Sequence, residues 1–177
     1  MLETVKDFFR KRSLRKHQST VPTGILPLAQ VRSAVAFIDV EDTSFDACKL
    51  ALQAFFREYN IKGEIFFFDF RKIGNEERLI TSITNTVLKK DLDWCGRPSR
   101  EKTGLMHAAE ADLFISLIPG TPFPLEYLAK CSRARFKAGR VQLPGNTFDL
   151  VVTDPSGQPL NQKEGFDAMR TFLAKIN

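Results

Sequence analysis

Asp39, Glu41 and Asp42 stand at the end of the apolar run Ser33–Asp39 (SAVAFID). Carboxylates grouped in this way suit general acid–base work or a nucleophilic step, and in open parallel sheets ligands sit beyond the carboxyl ends of the strands. The plainer reading is a set of acids favoured by the macrodipole of the helix that follows. A second grouping lies in Leu88–Pro98 (LKKDLDWCGRP), where Asp91, Asp93, the sole tryptophan Trp94 and Arg97 share one loop. An aromatic wall beside a few polar groups suits a small-ligand pocket, and an indole face can take a base or a cation. A third is Gly120 and Thr121, in a Pro-Gly-Thr-Pro turn ahead of a helix whose first N–H groups are free to meet phosphate. One glycine falls well short of a glycine-rich phosphate loop. His17 and His107 have no catalytic or metal-binding companions nearby in sequence, and the three cysteines, Cys48, Cys95 and Cys131, form no CxxC pair. No constellation specifies a reaction, so catalytic residues and cofactor stay unassigned and no metal site is expected.

Charge is distributed more tellingly. Residues 1–20 carry Lys6, Arg10, Lys11, Arg12, Arg15 and Lys16 against Glu3 and Asp7, and residues 130–140 carry Lys130, Arg133, Arg135, Lys137 and Arg140 with no acid. The remainder is slightly acidic, although the whole chain is +5. Two basic segments on a mildly acidic body point to an anionic contact, since charge bears on partners rather than on fold. Lys6, Arg10, Lys11, Arg12, Arg15 and Lys16, with Arg133, Arg135, Lys137 and Arg140, are the expected contact residues. The partner, whether protein, RNA or a membrane surface, is not specified by charge alone.

The elements that must position these groups follow from periodicity. Leu2, Val5, Phe8 and Phe9 fall on one side of a helix over residues 1–16, and the Ser, Thr, Pro and Gly of residues 18–24 read as a linker. Strands are expected at Ser33–Asp39, Glu64–Phe70, Asn85–Leu88, Asp112–Ile118, Arg135–Lys137 and Phe148–Val152. Between them, helices are expected from Phe45 to Tyr59, with Thr43 and Asp46 as a capping box, briefly over Asn75–Thr81, and over Pro98–Ala109 and Phe123–Cys131. The last helix runs from Gln162 to Lys175 with Phe166, Met169, Phe172, Leu173 and Ile176 facing inward. Sixteen phenylalanines supply the core. Strands alternating with amphipathic helices imply a three-layer, Rossmann-like α/β domain with a mostly parallel sheet over residues 25–177, preceded by the basic helix and linker of residues 1–24. The scattered cysteines and the lack of a signal-peptide pattern or a long apolar run imply a cytoplasmic protein.

Three local resemblances bear on function. Asp39-Val40-Glu41-Asp42-Thr43 resembles the opening Asp-x-Asp-x-Thr of haloacid-dehalogenase-like phosphatases, with Glu41 in place of the second Asp and no recognisable downstream metal motif. That likeness would imply a nucleophilic Asp39 and a magnesium-dependent phosphotransfer. The stretch from Ala111 to Ala129 is similar to the strand–loop–helix that carries the donor nucleotide in two-domain glycosyltransferases. Asp91-Leu92-Asp93-Trp94-Cys95-Gly96-Arg97-Pro98, with the basic helix and Pro124–Ala129, resembles an uncharacterised Bacteroidetes family marked by Asp-Leu-x-Trp-x-Gly-Lys/Arg-Pro, over most of the chain. This last likeness implies a small α/β protein with no known activity. The leading expectation is a non-enzymatic or accessory binding protein that meets an acidic partner through residues 1–16 and 130–140. The rival is a nucleotide- or phosphate-handling enzyme using the crevice near Asp39 and Gly120.

Overall fold

The computed structural model describes residues 1–74 and 82–177. The short helix expected over Asn75–Thr81 lies outside the described residues. Six strands form one parallel sheet: β1 (Ser33–Asp39), β2 (Lys62–Asp69), β3 (Thr86–Leu88), β4 (Leu113–Ser116), β5 (Phe136–Gly139) and β6 (Leu150–Val151), in the order β3-β2-β1-β4-β5-β6. The strand order reverses between β1 and β4, the place where Rossmann-like folds open a crevice.

Alternation along β1 explains the layers. Ala34, Ala36 and Ile38 pack with α2 (Phe45–Glu58) and α5 (Gln162–Leu173), while Val35 and Phe37 pack on the other face with α3 (Arg100–Ala108) and α4 (Phe123–Cys131). Successive strand side chains point to opposite faces, so a strand covered on both sides is apolar throughout. Eleven of the sixteen phenylalanines are buried, which makes aromatic packing the main filling of both layers. Phe37 sits at the centre of one of them, with Phe66 and Phe114 stacked beside it at 5.3 and 5.0 Å. Gly63 exists to let the Phe56 ring approach β2, since a Cβ there would lie 2.0 Å from a ring carbon.

Two expected details differ. The capping box at α2 does not form. Asp42 instead accepts from the Ser44 amide and hydroxyl, and Ser44 stands at the N-cap without bonding its own helix. Both side chains turn to α5, where Asp42 Oδ2 accepts from the Gln162 amide and Ser44 Oγ from the Lys163 amide. The β1–α2 loop thus caps another helix, a tertiary event that local spacing does not encode. Phe172 points outward and is 52% exposed, whereas Phe166, Met169 and Leu173 are buried as the periodicity requires.

Helix α1 (Leu2–His17) lies outside the three layers, against α4. Its buried face is not the apolar one. Leu14 and Ser13 go inward, Leu14 joining Tyr127 and Cys131 in a small satellite core, while Leu2, Val5, Phe8 and Phe9 remain exposed. Polar bonds hold the helix in place. Arg10 donates to the Cys95 carbonyl at 2.7 Å and its guanidinium lies 5.0 Å from the Phe123 ring centre. The linker that follows is pinned by main-chain bonds from Ser19 to Lys130 and from Gly24 to Arg135.

Candidate functional site

Asp93 builds the loop that faces α1. Its Oδ1 accepts from the Cys95 and Arg97 amides and from the Cys95 thiol, and its Oδ2 from Arg97 Nε at 3.0 Å. Burial pushes this carboxyl up, but those bonds and the Arg97 charge outweigh it and hold it below the usual aspartate value. The loop closes over Gly96, whose φ of +89° is a left-handed conformation that glycine adopts without steric cost. Asp91 is also engaged internally, accepting from the Leu88 amide. Ser99 then caps α3 by accepting from the Lys102 amide.

Between this loop, α3 and the outer flank of α1 lies a groove of about 880 Å³. Its floor includes Tyr127 and Cys131, whose hydroxyl and thiol are both raised by burial, to about 12 and about 11. At one side Trp94 is 56% exposed, with the Phe9 ring edge-on at 5.2 Å. Arg12 and Lys16 rise from α1, while Lys90 and Arg100 rise from the opposite wall. These four exposed cations have no hydrogen-bond or ion-pair partner among the described residues, while the two acids of the lining are bound within their own loop. Like charges facing one another across a concave surface focus a positive potential in the space between.

The strand-end crevice is built differently. Gln162 reaches in from α5, its carbonyl accepting from the Asp39 amide at 2.7 Å and its NH2 donating to the Asp39 carbonyl at 2.8 Å. Asp39 Oδ1 accepts from the Glu41 amide, and Asp42 is shared between Ser44 and Gln162. Burial, with the neighbouring charges of Glu41, Asp42 and Asp69, raises the Asp39 carboxyl above its ordinary value despite the Glu41 bond. Gly120 lies in the connection from β4 to α4, and Thr121 is on the edge of a smaller cavity beside Lys11 and Phe123. The three sequence groupings therefore do not converge on one site. Among the described residues no group of three or more His, Cys, Asp or Glu is placed to hold a metal ion.

The basic segment 130–140 is not the exposed contact surface its composition suggests. Arg140 is 2% exposed and spans Leu117, Asp154 and Leu160, and Lys137 is 5% exposed. Lys130 pairs with Glu126 and Arg135 with Asp112, and of the expected contact residues here only Arg133 and the paired Arg135 stay exposed. β5 is covered on both faces, and alternation puts Lys137 on the α4 side, where its ammonium donates to the carbonyls of Ala129 and Ser132 at the end of that helix. Sequence reasoning also missed Lys90 and Arg100 as groove residues, because the pair Lys89-Lys90 and the single Arg100 flank the Trp94 loop without forming a charge block.

Burial lowers Lys137 from its ordinary 10.5 to about 8, against the opposing pull of Asp149 and Cys131. Such a shift corresponds to ~3 kcal/mol held against the charged form. A depressed value in the folded state means that stability is present above pH 10.5 and lost as pH falls towards 8. Lys137→Met carries no such dependence. Urea unfolding of both proteins, each carrying Cys131→Ala because that thiol titrates in concert with Lys137, should therefore show the parent gaining ~3 kcal/mol relative to the variant between these limits. A constant difference across the range would mean that Lys137 is not desolvated.

The match to known sequences covers most of α1, the groove and the whole sheet: the model of a family of unknown function, DUF6913, matches residues 6–166. The chain belongs to that family. Both walls of the groove thus fall inside the DUF6913 match, which begins at Lys6 and takes in the Trp94 loop and α3. No curated protein and no solved structure matches the chain. Among the described residues no helix is long and apolar enough to cross a membrane.

Proposed function

We propose that this protein is a non-enzymatic binding module that engages an acidic partner through the groove between α1 and the Trp94 loop. The observation that carries this reading is the set of four unpaired cations, Arg12, Lys16, Lys90 and Arg100, lining one concavity beside an exposed indole. A chain that keeps four like charges facing a common space, where the two lining acids are bonded within their own loop, gains by admitting an anion there. The exposed Leu2, Val5, Phe8 and Phe9 extend the contact area along α1. The strand-end enzyme reading draws less support, since Gln162 saturates the Asp39 main chain where a ligand of a Rossmann-like crevice would enter. Three buried, unpaired thiols fit residence in a reducing cytoplasm.

Amide hydrogen exchange of the full chain, with and without inorganic polyphosphate, tests the location. Protection is expected in the second half of α1 and across residues 89–104. Protection confined to residues 39–44 and 162–164 would transfer the site to the strand ends and overturn the proposal.

A further inference from the structure

The shape and chemistry of the groove say more about its occupant than its charge does. Its cations stand on two facing walls, Arg12 and Lys16 on α1 and Lys90 and Arg100 opposite, so an anion must enter the concavity to meet all four. A lipid bilayer presents a plane, and the Asp and Glu side chains that make a peptide acidic carry no aromatic face. Trp94 is more than half exposed at the groove wall, and Phe9 meets it edge-on at an interplanar angle of 72°, which leaves indole surface free for stacking. Alternating negative charge and flat aromatic rings on one flexible chain is the chemistry of unpaired nucleotides. Single-strand binding sites combine a cationic groove that tracks the backbone with aromatic side chains on which bases stack. In a duplex the bases are already stacked inside and cannot reach the indole.

We infer that the groove binds single-stranded nucleic acid, its phosphates held by Arg12, Lys16, Lys90 and Arg100 and a base stacked on Trp94. This inference rests on the acidic-partner reading and names the class of partner. Sequence preference is expected to be weak, because every base has a π-face and the described lining offers few groups free to read base edges.

The full chain contains one tryptophan, so its emission reports on the groove directly. A single-stranded uridine dodecamer is expected to quench that emission. Engagement of four phosphates gives a slope of about −3 for the logarithm of the association constant against that of salt concentration. Anisotropy of the labelled dodecamer should then show Trp94→Ala weakening binding roughly tenfold to a hundredfold. The same substitution should leave the affinity for inorganic polyphosphate within about twofold, because no base is stacked there. Circular dichroism establishes that the variant is folded, as expected for an exposed side chain. If polyphosphate binds as tightly as the dodecamer and Trp94→Ala weakens neither, the nucleic-acid inference is overturned while the acidic-partner reading stands. If neither polyanion binds, both are overturned. Equal or tighter binding to a duplex of the same sequence, or to phosphatidylserine vesicles, also overturns the inference.

Discussion

Replacing Arg140 by alanine is expected to cost about 3–5 kcal/mol of stability, read as a shift in the urea midpoint at unchanged slope. The guanidinium sits where four chain segments meet. Nη2 donates to Asp154 Oδ1 at 2.6 Å and to the Leu160 carbonyl at 2.7 Å, and Nη1 reaches the Leu117 carbonyl at 3.4 Å. The fourth segment is α5, which approaches so closely that a Cβ on Gly165 would lie 2.8 Å from Arg140 Nε. Removing the side chain takes its donors from the Leu117 and Leu160 carbonyls, leaves Asp154 its bond from the Leu160 amide, and opens a cavity under α5. Leaving buried polar groups unpaired costs more than the bonds contribute net, which places the effect at the large end for a single substitution. Hydrogen bonds to Asp154 outweigh the burial that would otherwise raise its carboxyl, and its lowered value reports that engagement. Arg140→Met, which retains volume, should lose less than alanine does. A loss under about 1 kcal/mol for Arg140→Ala would show that the guanidinium does not tie these segments together.

The architecture was legible because it rests on local patterns. Continuous apolar runs mark β1, β2 and β4, one-sided helices mark α2 and α5, and the boundaries of β1 and α4 coincide with the expected ones. What escaped is what depends on pairs distant in sequence. The α2 cap failed because Asp42 and Ser44 meet α5, some 120 residues away, instead of their own helix. The second basic segment looked like a contact surface because composition ignores direction. Both faces of β5 are covered, so Lys137 is buried although charged, and Arg140 follows the strand into an internal junction. On α1 the apolar stripe suggested an amphipathic helix but not its orientation, and the face that docks is the one carrying Arg10, Ser13 and Leu14. Trp94 was singled out as the only tryptophan in a loop with acids and an arginine. Its partners in the groove, Lys90, Arg100 and the C-terminal half of α1, come together only through the packing of α1 on α4.

The central claim is that the groove, rather than overall charge, binds the acidic partner. The most direct measurement is the polyphosphate affinity of a protein carrying Arg12→Glu, Lys16→Glu, Lys90→Glu and Arg100→Glu. All four side chains are exposed and unpaired, so the variant should fold with little change in stability. Each cation near an anionic surface contributes about 1 kcal/mol, so losing four, before the repulsion of four new carboxylates is added, predicts an affinity drop of at least about a thousandfold at 0.1 M salt. A matched variant, reversing Lys49, Arg57, Lys62 and Lys175, has the same net charge and lies outside the groove, with Lys49 and Arg57 on α2 across the sheet from it. At 0.1 M salt, where the Debye length is ~10 Å, it should bind within about tenfold of the parent, because none of its four substituted side chains lines the groove. Affinity falling in the first variant and surviving in the second is the predicted result; equal losses in both would show that net charge, and not the groove, attracts the polyanion.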